Sequence, residues 1–414
     1  MNDRISVPDA LSALREAARD SVISESTCDN ATRWLSEEPY APYQQGIVSL
    51  VAQKKWDEIT NLFWQVIPFG TGGRRGLMSE FGSATINERT IAESAHGLAT
   101  YLKEVSSTDE LSAVVAHDTR NRSPEFARLT ATTLAAHGLK VYFFTTHRST
   151  PELSFAVRYL GCDVGAMISA SHNPPSDNGF KAYWSHGGQV LPPHDSGIID
   201  CVYQAGAIPT DDYAKAVSAE RIVELDENID DAYIKAVSDL SLSTARDISG
   251  LFSPLHGVGT TNVFKVLEAS GFQQITIDQD RSEPDGNFTH VPDQLPNPER
   301  PEVFAPLHEI AKDTEPAVIL ASDPDSDRIG VSVRNSDGSY QILTGNQVGA
   351  LITDYAIRKQ QAAGKDLSQQ VVIETIVTSQ LIGKIAEAAG ADVVSDLPVG
   401  FKYIGETVDS KQNE

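Results

Sequence analysis

The chain has 414 residues, of which 40% are hydrophobic, and a formal net charge of −24. That length exceeds one ordinary core and suggests roughly two to four domains, while the acidity argues against nucleic acid or an anionic membrane as a partner. No run of about 20 apolar residues could span a bilayer, residues 1–24 carry no hydrophobic signal core, and Cys28, Cys162 and Cys201 fit neither a disulfide framework nor a zinc site, so the cytoplasm is the expected location.

Residues 1–40 are expected to form a helical extension. Phe69-Gly70-Thr71-Gly72-Gly73-Arg74-Arg75-Gly76 follows as a Gly-rich, doubly basic loop whose backbone N–H groups could cradle phosphate, although it lacks the Lys-Ser/Thr of a P-loop. Residues 113–118 read as a strand, and Asp118-Thr119-Arg120-Asn121-Arg122 as a loop that binds charge or links elements. Ser123 is then the expected N-cap of a helix, with Pro124 in its first turn and Gly138 as its stop, before a strand at 141–144. The same order of strand, polar turn, Ser/Thr-started helix, glycine and strand recurs at 250–277, through Gly271, and at 371–394, through Gly390. Such alternation implies right-handed crossovers and at least partly parallel sheets. The predicted fold is α/β, with tandem, topologically similar domains of mixed sheets flanked by helices at 41–220, 221–337 and 338–414. The third is incomplete and ends without a closing strand or helix pattern.

Two segments within this frame carry chemistry. After a buried strand at 164–168 comes Ser169-Ala170-Ser171-His172-Asn173-Pro174-Pro175-Ser176-Asp177-Asn178-Gly179-Phe180-Lys181. Ser171 lies just past the strand's C-terminal end, the edge where open α/β sheets bind ligands. Asn173-Pro174-Pro175 stiffens the turn and Asp177-Asn178-Gly179 supplies residues tolerant of positive φ. A rigid turn would hold the hydroxyl outward for in-line attack, with Lys181 neutralising the transferring charge. His172 adjoins the serine, but neighbours in an extended loop point apart and no G-x-S-x-G elbow is present, which argues against a serine-hydrolase dyad.

The second segment, Asp323-Pro324-Asp325-Ser326-Asp327-Arg328, joins strands at 317–321 and 329–333. In an extended backbone its three carboxylates would share one face and repel unless a cation sat among them. Oxygen ligands suit Mg²⁺ or Mn²⁺. An EF-hand is excluded, because Arg328 and Arg334 stand where glycine and glutamate are needed. Arg328 could instead clamp a phosphate oxygen. Ser253-Pro254-Leu255-His256-Gly257-Val258-Gly259 is a further Gly-rich loop after a strand, with no chemistry assignable on its own.

In this order the segments resemble the α-D-phosphohexomutases, the phosphoglucomutase/phosphomannomutase superfamily, over about residues 40–414. Leu343-Thr344-Gly345-Asn346 looks like a further family segment, and Lys181-Ala182-Tyr183-Trp184 with Gly188-Gln189-Val190 and Pro193-His194-Asp195 resembles the longer bacterial and phosphopentomutase-like branch. The resemblance implies a mutase interconverting hexose 1-phosphate and hexose 6-phosphate, with glucose and/or mannose as the sugar. Ser171 would rest as phosphoserine, and its phosphate with Asp323, Asp325 and Asp327 would hold one Mg²⁺. Glucose 1,6-bisphosphate or mannose 1,6-bisphosphate would be intermediate and activator. Arg75, Lys181 and Arg328 would neutralise charge, His172 would handle or orient a proton, and Gly400, Phe401 and Lys402 would lie near the sugar. The family's G-E-x-S-G sugar loop and its fourth domain with an Arg-Ser-Gly-Thr phosphate loop have no counterpart in these residues. The competing expectations are a catalytically impaired sugar-phosphate and magnesium-binding remnant, or a phosphopentomutase. The expected partner is a small sugar phosphate in every case; the sequence leaves the oligomeric state open.

Overall fold

The structure, a computed structural model, describes residues 5–69 and 73–412; Gly70, Thr71 and Gly72 of the Gly-rich loop lie outside them. Four helices open the chain: α1 (Val7–Arg19), α2 (Glu25–Ser36), α3 (Gln44–Ala52) and α4 (Trp56–Phe63). Ser6 and Ser24 cap the first two by accepting from the N–H groups of Asp9 and Thr27. Leu14, Ala31, Trp34, Ile47, Ile59 and Phe63 pack into one core shared by all four helices. The helical extension therefore runs to Phe63 and not to residue 40, because α3 and α4 are needed to complete that core.

The first α/β unit contains β1 (Gly73–Leu77), α5 (Glu88–Val105), β2 (Ser112–His117), α6 (Ser123–Ala136), β3 (Lys140–Phe143), α7 (Thr150–Tyr159), β4 (Val164–Ile168), β5 (Asp177–Trp184), α8 (His194–Tyr203), α9 (Tyr213–Ser218) and β6 (Ile222–Glu224), and α10 (Glu227–Ser238) follows it. Its sheet has the order β1-β5-β4-β2-β3-β6. Strands β4, β2, β3 and β6 are parallel, and β5 is antiparallel to β4. Helices cover both faces, so Ala113–Ala116 of β2 form a continuous buried apolar run. Because β6 pairs with β3, this unit continues past the expected boundary at 220; α10, whose Ile229 packs with Val114 and Leu153, also packs against the first helix of the next unit.

The second unit comprises β7 (Gly250–Ser253), α11 (Val263–Ala269), β8 (Ile275–Ile277), α12 (Pro301–Thr314), β9 (Val318–Ser322), β10 (Ile329–Arg334) and β11 (Tyr340–Leu343), in the sheet order β11-β10-β9-β7-β8. Strand for strand, β7, β8, β9 and β10 repeat β2, β3, β4 and β5: three parallel strands, then one antiparallel. The third unit holds α13 (Gly345–Ala362), β12 (Val371–Thr375), α14 (Gln380–Ala388), β13 (Asp392–Leu397) and α15 (Phe401–Gln412), with β12 and β13 parallel. After α13, its β12, α14, β13 and α15 repeat the strand–helix–strand–helix order found in the other two, and α15 forms where no closing pattern was expected.

The three glycines that signalled helix ends do so by geometry. Gly138, Gly271 and Gly390 have φ of 91°, 89° and 86°, the left-handed exit that glycine makes cheaply. Ser123 is not the N-cap of α6. Arg122 takes that position at φ 64°, and the Ser123 hydroxyl donates instead to Asp118 Oδ1 at 2.7 Å. Among the described residues no helix is long and apolar enough to cross a membrane.

The third unit is the least buried. Ile376, Val377 and Phe401 are 68%, 65% and 76% exposed, and a two-stranded sheet is marginal on its own. Amides of β12 and β13 are therefore expected to exchange with deuterium far faster than those of β2 and β4 in mass-spectrometric exchange. Equal protection would show that this unit opens only with the whole chain.

Candidate active site

The turn between β4 and β5 carries Ser171, and the topologically equivalent turn between β9 and β10 carries the three aspartates. Each sits at the C-terminal end of a parallel strand, and the two turns face each other across the first and second units.

Ser171 adopts φ 53°, a left-handed conformation costing about 1–2 kcal/mol for a non-glycine residue. The positive φ thus falls on the serine itself, whereas Asp177, Asn178 and Gly179 begin β5 in register with β1. Several bonds hold the strained residue. Its N–H donates to Ser169 Oγ at 2.8 Å. The guanidinium of Arg120, 1% exposed, donates to the carbonyls of Ser171 and Asn173 at 2.5 Å, Pro174 at 2.8 Å and Asp177 at 3.1 Å. Asp118 anchors Arg120 in turn, accepting its N–H at 3.0 Å and lying 3.5 Å from its Nε. The hydroxyl does not point outward: Ser171 is fully buried, and its Oγ donates to Asp323 Oδ2 at 2.6 Å. The left-handed backbone also brings His172 round, placing its Nδ1 3.2 Å from the same Oγ, where an extended loop would have separated them. Burial first, then the guanidiniums of Arg328 and Arg75, push the His172 imidazole down to about 4, so it is neutral at pH 7.

The acidic segment is a turn and not an extended strand. Ser326, at φ 53°, donates its N–H to the Asp323 carbonyl at 3.0 Å. Ligand oxygens of Asp323, Asp325 and Asp327 come within 4.8 Å of one another. The Ser253–Gly259 loop supports them: the Val258 N–H donates to the Pro324 carbonyl at 2.9 Å, and a Cβ on Gly257 would collide with the Pro324 backbone. Lys181 Nζ, from β5, donates to Asp325 Oδ2 at 2.5 Å and to Asp327 Oδ2 at 3.5 Å. Burial, then the neighbouring Asp325 and Asp327, hold the Asp323 carboxyl well above its usual range. Burial and Asp325 raise Asp327 as well. Burial also opposes the charge on Asp325, but Lys181 outweighs it and holds this carboxyl low; the reciprocal attraction raises Lys181 above its usual value despite its burial. Lys181 and Arg328, whose Nε lies 3.8 Å from Asp327 Oδ1, are two cations against three carboxylates, and Asp325 Oδ1 is buried with no hydrogen-bond partner. Both observations fit a divalent cation bound through oxygen.

Three family segments match in sequence. Residues 67–207 match the phosphoglucomutase/phosphomannomutase alpha/beta/alpha domain I, residues 231–338 domain II and residues 344–413 domain III. The chain belongs to the phosphoglucomutase/phosphomannomutase family. It is 34% identical to a phosphoglucomutase of Staphylococcus saprophyticus over 356 residues, covering 85% of this chain and 63% of that protein. It is 32% identical to a phosphoribomutase of Saccharomyces cerevisiae over 401 residues, covering 91% and 64%. The chain thus spans less than two thirds of the length of these curated relatives. A solved phosphoglucomutase/phosphomannomutase family protein from Burkholderia thailandensis superposes with a TM-score of 0.65 at 19% identity, covering 84% of this chain and 69% of that one, which is a likeness of fold.

Of the expected site residues of this family member, Ser171, His172, Lys181, Asp323, Asp325 and Asp327 converge in one cluster. Arg75 and Arg328 border it, close enough to act on His172. Arg74 does not share the role of Arg75; it turns inward to the Thr90 carbonyl at 3.0 Å and the Glu93 carboxylate at 3.3 Å. Gly400, Phe401 and Lys402 lie at the start of α15, and among the described residues no hydrogen bond links them to the serine turn. Phe401 is 76% exposed, while Lys402 is buried with Nζ 5.0 Å from the Tyr403 ring centre. Sequence reasoning missed Arg120, because an arginine in a polar post-strand loop looks like any solvated charge. Arg120→Met would strand four loop carbonyls and the buried Asp118, at a cost of about 3–5 kcal/mol. Urea unfolding of that variant is expected to show this loss, with Arg120→Lys recovering less than half of it; an unchanged midpoint would remove Arg120 from this role.

Proposed function

We propose that the protein is a sugar-phosphate mutase that moves a phosphoryl group between the 1- and 6-positions of a hexose phosphate, glucose or mannose, through Ser171. The observation that carries this reading is the 2.6 Å contact between Ser171 Oγ and Asp323 Oδ2, which joins a candidate phosphoryl carrier from one unit to a cluster of oxygen ligands from the next. In the first half-reaction a sugar hydroxyl oxygen bonds to the phosphorus carried by Ser171 and the Oγ–P bond breaks. The sugar leaves this step as a 1,6-bisphosphate, and its hydroxyl proton ends on Ser171 Oγ. His172 Nδ1, neutral and 3.2 Å from that oxygen, would relay it. The second half-reaction reverses these bonds at the other phosphate. Arg75, Arg328 and Lys181 neutralise the transferring charge. Asp323, Asp325 and Asp327, with the serine phosphate, would hold one Mg²⁺, which when bound supplies further neutralisation of the phosphoryl oxygens. Glucose 1,6-bisphosphate or mannose 1,6-bisphosphate would serve as activator by phosphorylating Ser171, and Gly400, Phe401 and Lys402 would lie near the sugar.

A second reading takes a pentose phosphate as substrate, and the yeast phosphoribomutase, matched over 91% of this chain, supports it. Assays with glucose 1-phosphate, mannose 1-phosphate and ribose 1-phosphate, in Mg²⁺ and catalytic bisphosphate, separate the two. Ser171→Ala and removal of Mg²⁺ by chelation should each abolish turnover of whichever sugar is used. Turnover that survives Ser171→Ala would refute the carrier role. A folded chain that accepts phosphoryl on Ser171 without turning over any sugar would favour the impaired remnant.

Asp325→Ala is expected to abolish Mg²⁺-dependent phosphorylation of Ser171 by the bisphosphate, followed as a mass shift of the intact protein. Unchanged phosphorylation would withdraw the metal assignment.

A further inference from the structure

Thr150 is the first residue of α7, in the first unit, yet its N–H and its hydroxyl both serve the acidic turn of the second. Its N–H donates to the Asp325 carbonyl at 2.9 Å, and its Oγ1 donates to Asp325 Oδ2 at 2.6 Å. Both residues are buried, at 7% and 0% exposure. A first-turn N–H has no partner inside its own helix. Ser149 caps α7 by accepting from the Glu152 N–H, so the Thr150 N–H is left for Asp325. The positive end of α7 consequently meets a carboxylate, a favourable arrangement for a helix N-terminus.

Lys181 Nζ reaches the same oxygen, Oδ2, at 2.5 Å. Oδ2 therefore takes two donors, one from α7 and one from β5, while Oδ1 is buried with none. Two donors on one oxygen, aimed from different elements, fix the plane of the carboxylate as well as its position. We infer that Thr150 is a positioning residue of the metal centre: with Lys181 it occupies Oδ2 of Asp325 and so presents Oδ1 to the divalent cation. The inference rests on the proposed metal role of the acidic turn. It also makes the site depend on the packing of the two units, since Thr150 crosses from one to the other. Nothing in the sequence marks this threonine, which sits in Ser149-Thr150-Pro151 and reads as an ordinary helix start.

The test is Mn²⁺ binding by the full chain, read from the electron paramagnetic resonance signal of free Mn²⁺, with no sugar present. Thr150→Val keeps the shape and the backbone N–H but loses the hydroxyl; Thr150→Ser restores the hydroxyl. Partners that orient metal ligands typically contribute about 10- to 100-fold in affinity. Thr150→Val is expected to raise the Mn²⁺ Kd by about that factor, and Thr150→Ser to return it to within about threefold of the parent. Circular dichroism checks that each variant is folded, and Thr150→Ala replaces the valine variant if that one is not. A folded Thr150→Val chain with parental Mn²⁺ affinity, or a serine variant as weak as the valine one, overturns the inference while leaving the metal reading in place. A parent chain that binds no Mn²⁺, with Asp325→Ala no different, overturns both.

Discussion

The grip of one buried guanidinium on four backbone carbonyls is the constraint on which the site depends. A serine in the left-handed region is unfavourable by itself, and a turn of Asn, Pro and Ser residues has no regular hydrogen-bond ladder to hold it. Arg120 supplies the missing donors at a single point, because its planar fork can meet the carbonyls of Ser171, Asn173, Pro174 and Asp177 at once. With the turn closed in this way, Ser171 Oγ is directed at Asp323 and His172 is swung beside it. The same side chain also reaches across to the second unit, with its guanidinium carbon 5.0 Å from the ring centre of Phe288.

The site belongs to neither unit alone. The serine turn and the acidic turn occupy the same topological position in two copies of one sheet pattern, and the copies are placed so that these turns meet. The meeting surface is close at the backbone level: Gly286 approaches Asn121 with no room for a Cβ, and Asn121 Nδ2 donates to Asn287 Oδ1 at 2.9 Å. Such contacts leave little freedom for Ser171 and the carboxylates to drift apart. They also bury three carboxylates together, and burial first, then the neighbouring carboxylates, raises Asp323 and Asp327 in spite of Lys181.

Electrostatics work on two scales here. The chain as a whole carries −24, which would repel an anionic sugar phosphate at long range. Within about a Debye length, roughly 8 Å at physiological salt, the relevant charges are Arg75, Arg328 and Lys181 beside the serine turn. Local cations of this kind define the field inside a cleft more than net charge does.

The sequence by itself determined the βα pattern, the two chemical turns and the family. Strand periodicity, helix-ending glycines and the alternation of Asp323, Asp325 and Asp327 are local signals, readable without knowing what packs against them. The limits of the units were less legible: α3, α4 and β6 are assigned by the core and the sheet they join, which are contacts distant in sequence. Only the tertiary structure decided the conformation of the turns. The alternating aspartates suggested an extended strand and the Asp-Asn-Gly run suggested the flexible point, yet the positive φ values sit at Ser171 and Ser326. Those angles are imposed by Arg120, by Gly257 beneath Pro324 and by Thr150 and Lys181 on Asp325, partners that lie between about 50 and 175 positions away along the chain. Backbone strain is tolerated only where surrounding groups over-determine it, and groups that converge from separate elements leave no trace in local sequence.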